Sequence, residues 1–349
     1  MLKPLVFKYH TIKKVQSFVN YLFLEVIFNN NVLAGNASFT QNLVINKYRG
    51  IINVRAEYLF DLIVEVFDTC KKLDRKEIKL LRSAVHLNNN IESLCKGETE
   101  PITYREIDKI DKNLSIVLRK MFGKLYKYVI DLQPVYSIYG HKKDFYKNIV
   151  GRETVCNCCG VGTILNIYQD PVGALDHYFP INHYPFSSIN FENLIPICDI
   201  CNSKYKTQKD TLFKIKSKAK RGIKKIYLKK YKAFYPYTDE YDLINVDISI
   251  PGNDVTNLSP DDIEITYSLP DYEEEVENWE RLFKVSEIHK ANLLSNESRE
   301  YINQQFDFIN VLGRSFEEYY DLINNNIFYN KNFIRLPYLK EFNRISGTS

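Results

Sequence analysis

Apolar positions in the first part of the chain recur every three or four residues, which is the spacing of one helix face. Two runs show it: Leu59, Leu62, Ile63 and Val66, then Leu114, Leu118, Met121, Phe122, Leu125 and Val129. We predict that residues 1–145 are mostly helical, that Asn113 caps the second of these helices, and that a loop with glycine and proline spans 96–106. The apolar stretch 19–28 is interrupted by Glu25 and is too short to cross a bilayer, so we expect a core helix.

The pattern changes after residue 145. Cysteines, glycines and prolines cluster in residues 146–235, and short runs of β-type residues at 163–168 and 193–198 replace the long periodic segments. We therefore expect a small module that is braced by something other than a large apolar core.

The C-terminal part alternates and then returns to helical spacing. Residues 243–250 and 263–269 read as strands, and residues 272 to about 325 as helices. The predicted fold class is α+β: a mostly helical region 1–145, a central module 146–235 and an α/β region 236–349.

The composition indicates a globular chain, and its charges are segregated along the sequence. The chain has 349 residues, 45% of them hydrophobic, which is enough for roughly two to three compact domains. The net charge is only +4, but residues 204–232 hold 13 Lys or Arg against the single acid Asp210, while residues 254–280 hold ten acids and no Lys or Arg. Taken alone, the basic run is typical of a solvated helix, so its neighbours decide its meaning.

The cysteines point to a metal rather than to disulfides. There are seven, an odd number, and five lie between residues 156 and 201, which favours a reducing, cytoplasmic setting over a secreted disulfide framework. Two CxxC pairs stand out: Cys156 with Cys159, and Cys198 with Cys201. Such pairs supply the four thiolates of a closed, structural Zn²⁺ site. Cys158 competes for a place, but only Cys156 with Cys159 keeps the two-residue spacer.

Polar residues of types that act in catalysis lie between the two cysteine pairs and directly after the second pair. LDHYFP, residues 175–180, places Asp176 beside His177, Asn193 precedes the second pair, and Asn202 directly follows it. Singly, an Asp-His dipeptide is more often a capped strand end than a catalytic pair, and an Asn after such a pair is more often a turn or helix cap.

Together, these residues resemble the HNH, or ββα-metal, nuclease family in its zinc-braced form. The resemblance is carried by CNCCG (156–160), LDHYFP (175–180) and FENLIPICDICNSKYK (191–206), and it covers about 50 residues. It implies a hairpin between about 163 and 197, a helix from about Cys201 onward, and an endonuclease that hydrolyses phosphodiester bonds in DNA, with RNA left open as a substrate.

The resemblance also implies a role for each matching residue. His177 matches the general base, Asn193 the residue that orients it, and Asp176 and Asn202 the ligands of a catalytic divalent ion. Oxygen ligands of this kind favour Mg²⁺ or Mn²⁺.

Phosphate contacts are expected from lysines that follow the second pair. Many members of the family carry a lysine where this chain has Tyr205. Here the lysine on either side of Tyr205 is expected to make the phosphate contact instead. The candidates for nucleic-acid contact are Lys204, Lys206 and Lys209. His183 is the candidate for an auxiliary ligand, although a packing or solvent-exposed histidine is the simpler interpretation.

Two other functions compete with an independent nuclease. One is a zinc-containing module that binds nucleic acid without cutting it. The other is a nuclease subunit that works only with a protein partner, such as an ATPase, or as a homo-oligomer, with the long flanks as docking regions. Family members with such flanks often serve restriction or antiphage defence. No membrane association is expected.

Overall fold

The computed structural model describes residues 1–53, 59–220, 223–238, 243–252, 255 and 257–346, without the side chains of residues 216–227. Within these residues the chain is mostly helical, with three two-stranded antiparallel sheets, so the predicted α+β class is confirmed. In the same part of the chain, no helix combines the length and apolar character required to span a membrane.

The N-terminal region is built of short helices, as predicted. They are α1 (Val15–Tyr21), α2 (Asn30–Gly35), α3 (Asn46–Ile52), α4 (Phe60–Cys70), α5 (Arg75–Leu87), α6 (Ile91–Lys96), α7 (Tyr104–Ile110), α8 (Lys112–Lys127), α9 (Gln133–Tyr139) and α10 (Lys142–Val150). A π-helical turn, Leu22–Ile27, continues α1. Glu25 is exposed while its neighbours in this turn are buried, so the apolar stretch is a core helix, as expected.

The predicted cap of α8 is wrong by two residues. Asp111 caps the helix: its backbone is extended and its carboxylate accepts a hydrogen bond from Leu114 N at 2.8 Å. Asn113 lies inside the first turn, and its side chain donates to Glu65 Oε1 at 3.1 Å. Asp111 also ends α7, so the two helices share one residue at their junction, and apolar periodicity alone does not reveal such a junction.

The module contains the smallest sheet. Strand β1 (Leu175–His177) pairs with β2 (Leu194–Pro196), which confirms the run 193–198. The run 163–168 is not a strand. Within it only Thr163 forms a described bridge, with Val155, and the amides of Ile164 and Ile167 donate to the carbonyls of Thr154 and Gly151, outside any described strand.

The basic run forms a ribbon and not a helix. Strands β3 (Phe213–Lys220) and β4 (Ile223–Lys230) pair along their full length. The sequence FKIKSKAK alternates with a period of two, which is the period of a strand, and the high charge hid this pattern. The helix expected from Cys201 onward is only a π-helical turn, Ile200–Lys206.

The C-terminal region matches its prediction. Strands β5 (Asn245–Ser249) and β6 (Glu264–Ser268) form the third sheet. Five helices complete this region: α11 (Glu273–Phe283), α12 (Val285–Leu293), α13 (Asn296–Leu312), α14 (Phe316–Asn324) and α15 (Asn332–Ser346).

The buried apolar residues of all three regions form one continuous cluster. Phe186 of the module shows the connection: its ring lies 5.0 Å from that of Phe23, 5.8 Å from Phe28 and 5.5 Å from Phe122. The N-terminal helices therefore brace the segment that leads into Ser187 and Ser188.

Candidate active site and cysteine cluster

Four of the seven cysteines converge on one buried point. The sulfurs of Cys156, Cys159, Cys198 and Cys201 all lie within 4.8 Å of one another, and none of the four is in a disulfide. Cys159 Sγ and Cys198 Sγ are 3.9 Å apart. Zn–S bonds of ~2.3 Å in a tetrahedron require about 3.8 Å between sulfurs. The cluster can therefore hold a metal ion such as zinc.

Backbone amides point at these sulfurs. Gly162 N lies 3.3 Å from Cys159 Sγ and Cys198 N lies 3.4 Å from Cys156 Sγ, so both can donate to a thiolate. Burial raises the pKa of the Cys156 thiol well above its usual value. A bound cation supplies the positive charge that a buried thiolate requires.

The fifth cysteine of this region, Cys158, lies outside the cluster and serves through its backbone. Its carbonyl accepts a hydrogen bond from Trp279 Nε1 at 2.7 Å. The next carbonyl, that of Cys159, lies 2.7 Å from His289 Nε2. Because a carbonyl only accepts, His289 carries its proton on Nε2, and Nδ1 accepts from the Tyr267 hydroxyl at 2.7 Å. Helices α11 and α12 thus hold the first CxxC turn in place.

The small sheet positions the Asp-His pair. Asp176 stands opposite Ile195, and His177 opposite Leu194. Asn193 is fully buried and links two parts of the segment between β1 and β2. Its Oδ1 accepts from Phe179 N at 2.7 Å, and its Nδ2 donates to Phe179 O at 3.1 Å and to Ser187 O at 3.3 Å.

The imidazole of His177 is fixed in one tautomer. Nε2 lies 2.8 Å from Ser188 O, so it must carry the proton. Within the described part of the chain, Nδ1 has no hydrogen-bond partner. The ring of Tyr126 packs edge-on at 4.3 Å, and its hydroxyl donates to Leu175 O at 3.2 Å. Burial lowers the pKa of His177 to about 4, so the ring is neutral near pH 7 and Nδ1 can accept a proton.

Asp176 has a partner that the sequence pattern did not predict. Its Oδ2 lies 2.7 Å from Lys206 Nζ, and both side chains are buried. The same ammonium group donates to His177 O at 2.7 Å. Burial raises the pKa of the Asp176 carboxyl, and Lys206 acts in the opposite direction.

The π-helical turn explains why Lys206, and not residue 205, reaches the site. The amide of Thr207 donates to Asn202 O at 2.9 Å, five residues back, so the turn is wider than an α-helical one. A wider turn brings the fourth residue after Asn202, rather than the third, to the side of the sheet. Thr207 ends the turn with φ +48°, an uncommon backbone conformation for a β-branched residue.

Three predicted residues meet in one pocket. Asp176, His177 and Asn202 line an open cavity of about 340 Å³, together with Ser203 and Gln208. Asn193 lies behind this pocket and supports its wall.

No family model, curated protein or solved structure matches this chain.

The lysines proposed for nucleic-acid contact differ in their surroundings. Lys204 is exposed, whereas Lys206 is buried against Asp176. Lys209 donates to the carbonyls of Arg281 and Leu282 at 3.3 and 3.2 Å, and burial lowers its pKa.

His183 binds within the protein. Its Nε2 lies 3.0 Å from Gln208 O, which agrees with a packing role.

Three features of the site were not predicted from the sequence: the Ser188 carbonyl, the Tyr126 ring and the Lys206 ion pair. The first is a backbone atom. Tyr126 comes from a helix 50 residues away in the chain. The cluster KYK at 204–206 was the only hint for Lys206.

Proposed function

We propose that this protein is a metal-dependent endonuclease of the ββα-metal type that hydrolyses phosphodiester bonds in DNA. One observation carries the proposal: the His177 imidazole donates to Ser188 O and leaves Nδ1 without a hydrogen-bond partner among the described residues, in a pocket that it shares with Asp176 and Asn202. A neutral histidine held in one tautomer beside two oxygen donors is suited to activating water next to a phosphate.

His177 acts as the general base. Nδ1 takes a proton from the water that attacks phosphorus, and the bond from Nε2 to Ser188 O stabilises the resulting imidazolium. The bond from phosphorus to the leaving oxygen breaks, and that oxygen takes a proton from solvent. Asn193 ties Phe179 to Ser187 and so keeps the Ser188 carbonyl in position.

The oxygens of Asp176 and Asn202 fit a hard divalent cation, Mg²⁺ or Mn²⁺. When bound, such a cation supplies charge stabilisation to the scissile phosphate and the leaving oxygen. The four cysteine sulfurs fit a structural zinc with no open position, which adds ~10 kcal/mol or more of folding free energy to sites of this type.

The first test is cleavage of supercoiled plasmid with Mg²⁺ or Mn²⁺ by the wild type, His177→Ala and His86→Ala. His86 is exposed and lies in α5, so it is a matched control. We expect nicked plasmid from the wild type and the control, and a rate at least about 100-fold lower from His177→Ala, because general-base catalysis is worth this much. Equal rates in all three, with zinc content unchanged, would remove His177 from the mechanism.

A binding module without catalysis is the second candidate, and the ion pair of Asp176 with Lys206 favours it. An internal ammonium group already balances the carboxylate that a divalent ion would use. This alternative expects DNA binding by the wild type and no cleavage with either cation.

A further inference from the structure

The exposed end of the π-helical turn forms one wall of the catalytic pocket. Thr207 and Gln208 line this pocket together with Asp176 and His177, and both are exposed. Gln208 also lines a neighbouring groove of about 630 Å³. This residue therefore lies on the boundary between the catalytic pocket and a larger open surface.

A phosphodiester in this pocket needs hydrogen-bond donors for its non-bridging oxygens. Within the described part of the chain, none of the three lysines predicted to contact nucleic acid lines the pocket. Lys206 is buried in its ion pair, and Lys209 donates to carbonyls near the end of α11. Among the polar side chains that line the pocket, Ser203 donates to Asp199 Oδ1 at 2.7 Å, and Asn202 is the proposed ligand of the divalent ion. The donors that remain are those at the exposed end of the turn.

The amide of Gln208 is held in one orientation. Its Oε1 accepts a hydrogen bond from Asn182 Nδ2 at 3.0 Å. Its Nε2 has no hydrogen-bond partner among the residues that the structure describes, and an amide nitrogen carries two N–H donors. Gln208 therefore has two unused donors where it lines the pocket.

The backbone of Gln208 is fixed as well. Its carbonyl accepts from His183 Nε2 at 3.0 Å, and the amide of Lys209 donates to Lys206 O at 2.9 Å across the turn. Thr207, directly before it, has φ +48°, and such a backbone persists only where the surrounding structure holds it. An exposed glutamine that is already held in place loses little conformational entropy when it binds a ligand.

The N-terminal helices support the segment that orients Gln208. Arg119 of α8 donates to Asn182 O, and its guanidinium group lies 4.0 Å from the centre of the Tyr104 ring. Tyr104 N, at the start of α7, donates to His183 O at 3.0 Å. Both partners of Gln208 are thus attached to α7 and α8.

We propose that Gln208 is a substrate-binding residue whose Nε2 donates to a non-bridging oxygen of a DNA backbone phosphate in the catalytic pocket, and that Asn182 is the positioning residue that orients this amide. The choice of DNA as the substrate rests on the proposed nuclease function. A phosphate contact carries no base information, so it adds affinity for DNA of any sequence.

The test measures binding of two 30-base-pair DNA duplexes, one AT-rich and one GC-rich, by protein that carries His177→Ala, which separates binding from cleavage. Gln208→Glu keeps an oxygen for Asn182 but replaces the donor by a charged acceptor. Gln304→Glu is the matched control, because Gln304 is exposed on α13 and adds the same charge outside the pocket. Circular dichroism and zinc content show whether the variants remain folded.

We expect Gln208→Glu to bind both duplexes at least about tenfold more weakly, because a hydrogen bond to a charged group is worth about this factor and the new carboxylate repels the phosphate. The control should change affinity by less than about threefold, since solvent and salt screen an exposed charge. Equal losses in the two variants, or a loss limited to one of the duplexes, would overturn the phosphate contact.

A double-mutant cycle tests the role of Asn182. We expect Asn182→Ala to weaken binding by a smaller factor than Gln208→Ala does. Added to Gln208→Ala, it should change affinity by less than about twofold, because the amide that Asn182 orients is already absent. Losses that multiply in the double variant would reject the positioning role.

Failure of the nuclease proposal is recognised separately. Wild-type protein that binds DNA but cuts no plasmid with Mg²⁺ or Mn²⁺ refutes the nuclease, while the Gln208 contact is still judged by binding. Plasmid cleavage at an unchanged rate in Gln208→Glu, or no DNA binding by the His177→Ala protein, would reject the contact and leave the nuclease to be judged by cleavage.

Discussion

Asp176 is a buried carboxylate whose charge is balanced by a buried lysine, and this pair sets the energetics of the pocket. Removing one member of such a pair leaves the other charged group without compensation, which costs about 3–5 kcal/mol. A divalent ion bound by the same carboxylate would compensate it instead. Lys206 and the ion are therefore expected to compete for, or to share, the charge of Asp176.

Lys206→Met tests this competition. We expect the variant to lose about 3–5 kcal/mol of unfolding free energy without divalent ions. Mg²⁺ or Mn²⁺ at millimolar concentration should then raise its Tm more than that of the wild type, because the ion replaces the missing positive charge. Lys204→Met is the control, since Lys204 is exposed in the same turn. A variant that is destabilised but whose Tm does not respond to either cation would exclude Asp176 as a ligand.

The sequence was informative about residues whose chemistry depends on side-chain type and spacing. The four cysteines of the cluster and the group Asp176, His177 and Asn202 were all selected by such patterns, and each set meets in space. Sequence patterns did not predict which lysine reaches the site, because a single feature of the backbone determines it. A π-helical turn holds one more residue than an α-helical turn, so the lysine that reaches the site is residue 206 and not residue 205. Spacing typical of α-helices does not predict this position.

At the scale of elements, the turn that follows the first CxxC pair leaves no room for a side chain at Gly162. A Cβ on Gly162 would collide with Cys198 Sγ, while a Cβ on Gly123 in α8 would meet no atom of the described residues within 4 Å. The absence of a side chain at Gly162 thus lets the second cysteine pair approach the first.

Gly162→Ala is expected to displace Cys198 and to lower the bound zinc below one per chain at a chelator concentration that leaves the wild type loaded. Gly123→Ala should keep full zinc and gain up to about 1 kcal/mol of stability, because alanine favours a helix over glycine. Metal analysis after dialysis, with urea unfolding in parallel, measures both. Full zinc in Gly162→Ala would show that the turn can relax around the methyl group.

Element types were predictable wherever one period dominated, as in α4, α8, β5 and β6. The errors have physical causes. Residues 163–168 have β-type composition, but the described part of the chain offers them no partner strand, and strand pairing requires one. The ribbon is hard to predict because the high density of lysines masks their two-residue alternation with other residues in FKIKSKAK.

On the scale of the whole molecule, the cysteine cluster is connected to the N-terminal segment and to the C-terminal region of the chain. Asn157, inside the first CxxC turn, accepts from Lys3 N at 3.1 Å and donates to Pro4 O at 3.3 Å. Trp279 and His289 bind the same turn from the C-terminal region. Together with the continuous apolar core, these hydrogen bonds couple the stability of the cysteine cluster to that of the N-terminal and C-terminal regions.

Removal of the metal should therefore unfold more than the module. The free energy of zinc binding at such sites, about 10–16 kcal/mol, is comparable to the unfolding free energy of a typical domain, about 5–15 kcal/mol. We expect a chelator to cause cooperative loss of most helical circular dichroism at 222 nm, although most helices lie outside residues 146–235. A loss limited to a small fraction of the signal would show that the flanking helices fold independently of the cluster.

Trp279 is the only tryptophan of the sequence, and its indole is buried with its N–H on the carbonyl of Cys158. The protein consequently carries an intrinsic fluorescent reporter in contact with the cysteine cluster. Opening of the cluster would expose the indole to water and shift its emission to longer wavelength. Metal loss and reloading can thus be followed in real time on the unlabelled chain.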